Sequence, residues 1–327
     1  MSRLALPALF IGLALAVAVV AWQGFGDVAK ALSEAGFRLL WLVPLFLIPL
    51  LLSGLAWSVI FPAGNRPSLQ RLCLASWIAV SINWLLPVAQ IGGEVAKAVW
   101  LARRAAPAPM MVATAIVDKV LQTAGQAFVA LIGVGLVLVL ASDSAVVPGA
   151  VLFAVLLLAL IPAFFLAQRR GLLLRLVAAG ERVFMKHLKG REAGGLVERL
   201  GGLDAALSAV GAAPGRLFAH LVIRLVSRLV LAAEVWLALA LLGHPVSVLE
   251  ALMIECLAQT LRSAAFAVPG AYGVQEGGFV LLGALVGVPA EVALSVSLAK
   301  RMRELLVGLP GLLFYQISEG RLALAAR

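Results

Sequence analysis

The chain has 327 residues, of which 63% are hydrophobic and only 13% charged, with a mean hydropathy of +1.07. A soluble domain carries about twice that share of charge, so soluble enzymes and binding modules are excluded and a polytopic membrane protein remains. The formal net charge of +10 fits cytoplasmic loops rich in Lys and Arg; no soluble basic domain is present, and nucleic acid is not an expected partner.

Residues 4–22 form an apolar run about long enough for a hydrocarbon core of roughly 30 Å. Arg3 precedes the run and Ala16-Val17-Ala18 lies within it, an outline shared with signal peptides. Nearly everything downstream is also apolar, so an uncleaved first span is expected. Residues 39–61 read as a second span between Arg38 and Arg66. Residues 72–86 are a short third segment that stops at Pro87; Gly92-Gly93, a short helix to Trp100 and Arg103-Arg104 follow. Residues 110–141 and 145–167 are the next two spans.

Residues 168–216 differ in composition. They carry Arg169, Arg170, Arg175, Arg182, Lys186, Lys189, Arg191 and Arg199, with Leu172, Leu173, Leu176, Val183 and Leu188 at roughly helical spacing. This predicts an amphipathic cytoplasmic linker that determines topology and touches anionic lipid. Residues 217–242, 248–268, 278–288 and 290–317 complete an all-α protein of about seven to nine membrane segments.

Basic residues set the orientation. The 168–216 linker, Arg103-Arg104, Arg66 and Arg71 are predicted on the cytoplasmic side, as are both termini. Ser142-Asp143-Ser144 and residues 243–247 lack Lys and Arg and are predicted outside. Residues 72–100 then enter from the cytoplasm and return, whereas 248–288 enter from outside and return. Two broken hairpins would point at each other across the midplane.

The two broken segments align without a gap. Glu94 and Glu276 lie 182 positions apart (276 − 94), and the same offset pairs Ser81 with Ser263, Pro87 with Pro269, Pro107 with Pro289, Asp118 with Lys300 and Lys119 with Arg301. This predicts an inverted repeat, with units at about 72–141 and 248–317, an architecture that puts a transporter's site at the repeat interface.

Intramembrane charge is costly and must face protein or a wet cavity. Thr114, Asp118, Gln122 and Gln126 form one stripe by their spacing of four; Lys300, Arg303 and Glu304 form a second; Glu255, Gln259 and Arg262 form a third. All three are expected to turn inward, either as a salt-bridge network or as substrate contacts, two roles that are compatible. Asp118 and Lys300 are expected to pair. Pro87, Gly92, Gly93, Pro269, Gly270, Gly277 and Gly278 are the predicted hairpin hinges. They place helix starts, whose free N–H groups favour anions, near the midplane. Glu94 and Glu276 beside them would cap the backbone, bind a head group or carry a proton, with Lys97 and Arg262 as candidate ion-pair partners. Arg224 and Arg228, one turn apart, are expected to anchor lipid phosphate.

Cys73 and Cys256 show neither metal spacing nor a disulfide framework. His187, His220 and His244 stand near segment ends and are expected at surfaces or interfaces. No metal site or cofactor is expected, and no soluble catalytic motif such as a phosphate-binding loop or a zinc-protease helix occurs.

VPGAYGVQEGGFVLLGALVG, followed by VPAEVALSVSLAKRMRELLVGLPGLL, and the earlier LLPVAQIGGEVAKAVWLARR carry a family resemblance. They resemble the hopanoid-biosynthesis-associated membrane proteins of the lysylphosphatidylglycerol synthase transmembrane, flippase-like, family. The resemblance spans nearly the whole chain, and its C-terminal motif is the most specific part. It implies a bacterial inner-membrane protein that moves or handles lipids, with membrane lipids, hopanoids among them, as partners, and with a homo-oligomer or hopanoid-pathway proteins as further partners. The aminoacyl-transfer domain of the synthases has no counterpart in this sequence, so lysyl transfer is not expected. The leading expectation is a lipid translocator; the alternative is a membrane enzyme or accessory subunit that modifies a head group, with Glu94 or Glu276 as acid or base.

Overall fold

The computed structural model describes residues 33–86, 92–104, 108–169, 202–265, 268 and 271–325. The predicted first span, most of the basic linker, and Pro87, Pro107, Pro269 and Gly270 lie outside the described residues. Within them the chain is helical, with no strand. A 3-10 turn, Gly36–Trp41, leads into α1 (Leu42–Val59). There follow α2 (Leu69–Leu85), α3 (Gly92–Ala102), α4 (Ala108–Leu140), α5 (Val147–Arg169), α6 (Leu203–Gly211), α7 (Pro214–Leu241), α8 (Val248–Ala264), α9 (Val274–Ala284) and α10 (Ala290–Ala325).

Local chemistry accounts for most of these boundaries. Leu86 is extended (φ −113°, ψ 145°), as the residue before a proline prefers, and α2 stops there. Pro214 opens α7 at its first turn, where its missing N–H costs nothing. Ser247 and Glu250 form a reciprocal capping box at α8: Glu250 N donates to Ser247 Oγ at 3.2 Å, and Ser247 N donates to Glu250 Oε2 at 2.7 Å. Glu276 caps α9 by accepting from Gly273 N at 2.7 Å.

That last cap corrects the expected boundary of 278–288: α9 begins four residues earlier than the apolar run. It also corrects the hinges. Gly92, Gly93, Gly277 and Gly278 are helical residues in the first turns of α3 and α9. The bend before α9 is carried by Ala271 (φ +50°) and Gly273 (φ +79°). Gly93 has a packing role, since a Cβ there would lie 2.1 Å from the Ala79 carbonyl oxygen. Such close approach through small residues is how helices associate in membranes.

Two apolar cores form, each around one short helix. Ala98, Trp100 and Leu101 of α3 pack with Trp57, Ile60, Leu72, Ile78 and Met111. Phe279 and Leu282 of α9 pack with Val235, Leu239, Met253, Ile254 and Val296. A small cluster of Phe46, Leu50 and Val307 lies apart from both. Helix α1 packs on α2 and α7, α4 on α3 and α8, and α10 on α2 and α9. Pro310 removes one rung of the α10 ladder, and Trp77 Nε1 from α2 donates to the nearby Val307 carbonyl at 2.9 Å.

The 182-residue offset carries α3, residue for residue, onto α9, both 11 residues long, and carries the first residue of α4 onto the first of α10. The outer surface is apolar: Val151, Leu152, Val155 and Leu156 of α5, Phe218, Leu225 and Leu229 of α7, and Leu309, Leu313 and Ile317 of α10 are exposed. Residues 33–59 and Ala108–Leu140 are long and apolar enough to cross a bilayer.

Candidate functional site

All three polar stripes turn inward. Gln122 of α4, Glu255, Gln259 and Arg262 of α8, and Lys300, Arg303 and Glu304 of α10 line one cavity of about 200 Å³, with Glu94 and Lys97 of α3, Lys119 of α4 and Arg224 of α7. A charged wall of this kind survives in an apolar protein only if its members satisfy one another.

Asp118 is the hub on one side. It is fully buried, and its carboxylate accepts from Lys97 Nζ at 2.5 Å, Arg224 Nη2 at 2.7 Å and Gln122 Nε2 at 3.0 Å, with His220 Nε2 2.7 Å away. Lys97 also meets Glu94 at 2.5 Å, one helical turn back, and lies 4.5 Å from the Trp57 ring centroid. Lys119 stands 4.0 Å from Glu94. Arg224 Nη1 donates to Ser53 Oγ at 2.9 Å.

Glu304 is the hub on the other side, held by Arg262 and, at 3.1 Å, by Arg301 Nη1. Arg301 Nε reaches Glu276 at 3.0 Å, and Arg262 Nη1 donates to Gln275 Oε1 at 2.8 Å. Lys300 pairs with Glu255 at 2.6 Å, with Arg228 3.8 Å from the same carboxylate. Arg303 Nε donates to Glu234 Oε1 at 2.9 Å, with its guanidinium 4.0 Å from the Phe46 ring and 5.1 Å from that of Trp84. Among the described residues this network holds eight Lys and Arg side chains against six carboxylates.

Several expectations are corrected. Asp118 does not pair with Lys300; each finds its partner elsewhere. Lys97 does pair with Glu94, but Arg262 serves Glu304 and Gln275, and Arg301 is the cation on Glu276. Glu276 stands behind the cavity wall as a cap and an anchor for Arg301, whereas Glu94 is on the wall. His220 is fully buried rather than at a surface. Arg224 and Arg228 face carboxylates inside the bundle instead of anchoring lipid phosphate.

On α7 the sequence reading named His220 and Arg224 but missed the stripe they belong to. His220, Arg224, Ser227, Leu231 and Glu234 recur at intervals of four or three, a fourth inward stripe with the same period as the three that were recognised. The offset pairs Glu94 with Glu276 and Lys119 with Arg301, and both halves make that ion pair. It also pairs Lys97–Asp118 with Phe279–Lys300, and these too touch, the second as an ammonium 5.5 Å from the ring.

No curated protein and no solved structure gives a significant match to the chain. The family model described as the lysylphosphatidylglycerol synthase TM region matches residues 9–311, a range that contains both apolar cores and every residue lining the cavity, and the chain belongs to that family of membrane proteins.

Proposed function

We propose that the protein is a lipid translocator, in which the charged cavity takes a polar head group while the acyl or terpenoid tail stays in the bilayer. The observation that carries this reading is the cavity itself: fourteen polar or charged side chains, drawn from seven helices, open inside a protein whose outer faces are apolar. Intramembrane ionisable groups that line a space mark a path for something polar. Family membership supports lipid handling, and the coincidence of α3 with α9 under the 182-residue offset supports two repeat units flanking the site. We place them in opposite orientation, with the basic linker and both termini in the cytoplasm of a bacterial inner membrane, on the Lys and Arg distribution. The resemblance of the C-terminal motif favours hopanoids or their polar-headed derivatives as the cargo.

Glu94, Lys97, Gln122, Arg262, Lys300, Arg303 and Glu304 are the residues that would meet the head group, with Asp118 and Glu276 holding their partners in place. The test is reconstitution of the purified chain in vesicles containing a polar-headed lipid with a reporter on its head group. Transfer of the reporter between leaflets, with the lipid recovered chemically unchanged, is the expected result. A chemically altered head group would favour the enzyme alternative and overturn translocation.

A further inference from the structure

Resting on the translocation reading, we propose that the ends of α3 and α10 form an ionic gate, which shuts the cavity on the cytoplasmic side and opens when its pairs part. Both helices carry cavity wall, Glu94 and Lys97 on α3 and Lys300, Arg303 and Glu304 on α10. Beyond the wall the two are tied again. Arg103 pairs with Glu319, and Arg104 Nη1 donates to the same carboxylate at 2.8 Å. Arg104 Nη2 donates to the Ser318 carbonyl at 2.9 Å, and Trp100 Nε1 donates to Ser318 Oγ at 2.9 Å. Arg71 of α2 joins the row by donating to the Arg104 carbonyl at 3.2 Å. One turn nearer the cavity along α10, the Phe314 ring lies 5.8 Å from that of Trp77 and 6.2 Å from that of Trp100.

Two observations mark this closure as one built to open. The first is exposure. The side chain of Arg103 is 52% exposed and that of Glu319 19%, against 5% or less for Asp118, Glu255 and Glu304 in the cavity network. Ion pairs that water reaches are weak and exchange readily, whereas buried pairs hold. Pro310 stands between the cavity residues of α10 and the latch, so the end of that helix can bend without disturbing Lys300 to Glu304. The second observation is the repeat. The 182-residue offset carries Trp100, Arg103 and Arg104 onto Leu282, Leu285 and Val286, and carries Ser318 and Glu319 back onto Leu136 and Val137. All five counterparts belong to one apolar cluster. The same closure is therefore built twice, once from apolar side chains and once from ions. Units opposed as proposed above put the two at opposite faces of the membrane, the ionic one at the face rich in Lys and Arg. Water competes for the ionic closure and not for the apolar one, so the cytoplasmic side is the one that yields first.

The test follows a thiol placed in the cavity. Ser76→Cys puts it on the wall, in place of a hydroxyl that has no hydrogen-bond partner, in a full chain whose own thiols are removed by Cys73→Ala and Cys256→Ala. The probe is a membrane-impermeant sulfonated methanethiosulfonate, applied to inside-out and to right-side-out vesicles. Adding Glu319→Gln should speed labelling from the cytoplasmic side by about threefold or more, the ratio that loss of a partly exposed ion pair corresponds to, and should leave labelling from outside unchanged. Raising salt from about 0.05 M to about 0.5 M shortens the screening length about threefold. It should speed cytoplasmic labelling while Glu319 is present and have no such effect after Glu319→Gln. The salt measurement needs no change at the latch, which keeps the test alive if Glu319→Gln does not fold. Equal cytoplasmic rates with and without Glu319→Gln, or no salt effect on the intact latch, overturns the gate. Faster labelling from outside instead overturns its cytoplasmic placement. Head-group transfer in vesicles separates the gate from the function it rests on. Transfer with labelling indifferent to Glu319 removes the gate alone; gated labelling without any transfer removes translocation and leaves the gate.

Discussion

Asp118 gathers two cations, an imidazole and an amide around a carboxylate with no exposure. Removing one charge from such a cluster strands its partners in a low-dielectric interior, so Asp118→Asn should destabilise the protein by about 3–5 kcal/mol. Glu94→Gln should cost much less, because Lys97 keeps Asp118. Thermal unfolding of the two variants in one detergent checks the order; equal losses would contradict the hub assignment. The stripe that holds Asp118 was legible in the sequence because a spacing of four puts polar side chains on one helical face. Its partner was not. Equivalence under a repeat relates positions in two halves; it does not bring them together, and the strong pairs form within each half, Lys97 with Asp118 and Lys300 with Glu255. His220 was misjudged because nearness to a segment end says nothing of the face a side chain takes. The stripe running from His220 to Glu234 carried that information.

At the scale of elements, α3 and α9 decide how closely the broken segments approach their neighbours. Gly93 has no room for a methyl group against Ala79, so Gly93→Ala should push α3 from α2 and cost about 1–3 kcal/mol. Gly277 sits at a helical position with nothing within 4 Å of an added Cβ, and Gly277→Ala should be neutral or stabilising by up to about 1 kcal/mol. Opposite signs in thermal denaturation are the expected outcome; a stabilising Gly93→Ala would contradict the packing. Most helices were readable from hydropathy to within a few residues. The start of α9 was not, because Glu276 caps it from inside the turn and hydropathy sees only the apolar run after it. The 182-residue offset was readable in the sequence, and the bounds of α3 and α9 and the starts of α4 and α10 follow it. Orientation remains a separate matter, tested by labelling single cysteines: position 143 should react from outside and position 186 from the cytoplasm. Reaction of both from one side would contradict the opposed repeat units.

For the whole molecule, two apolar cores flank a polar cavity, and an apolar skin surrounds them. That arrangement is costly to build, and the proposed passage of a polar head group would account for it. The composition announced a membrane protein and the stripes announced an inward polar site, but the cavity's walls come from seven helices spread over more than two hundred residues, and no local pattern reports such a meeting. The most direct measurement is the rate of head-group transfer between leaflets in vesicles, for the unaltered chain and for Glu304→Gln. This variant changes the cavity charge while Arg262 keeps Gln275 and Arg301 keeps Glu276; like Asp118→Asn it should lose stability, so transfer is compared only where thermal unfolding shows the variant folded. The unaltered chain should transfer a polar-headed lipid well above protein-free vesicles, and Glu304→Gln, folded and inserted, should lose most of that rate. Transfer by the folded variant at the full rate, or none by the unaltered chain, would contradict a translocation path through this cavity.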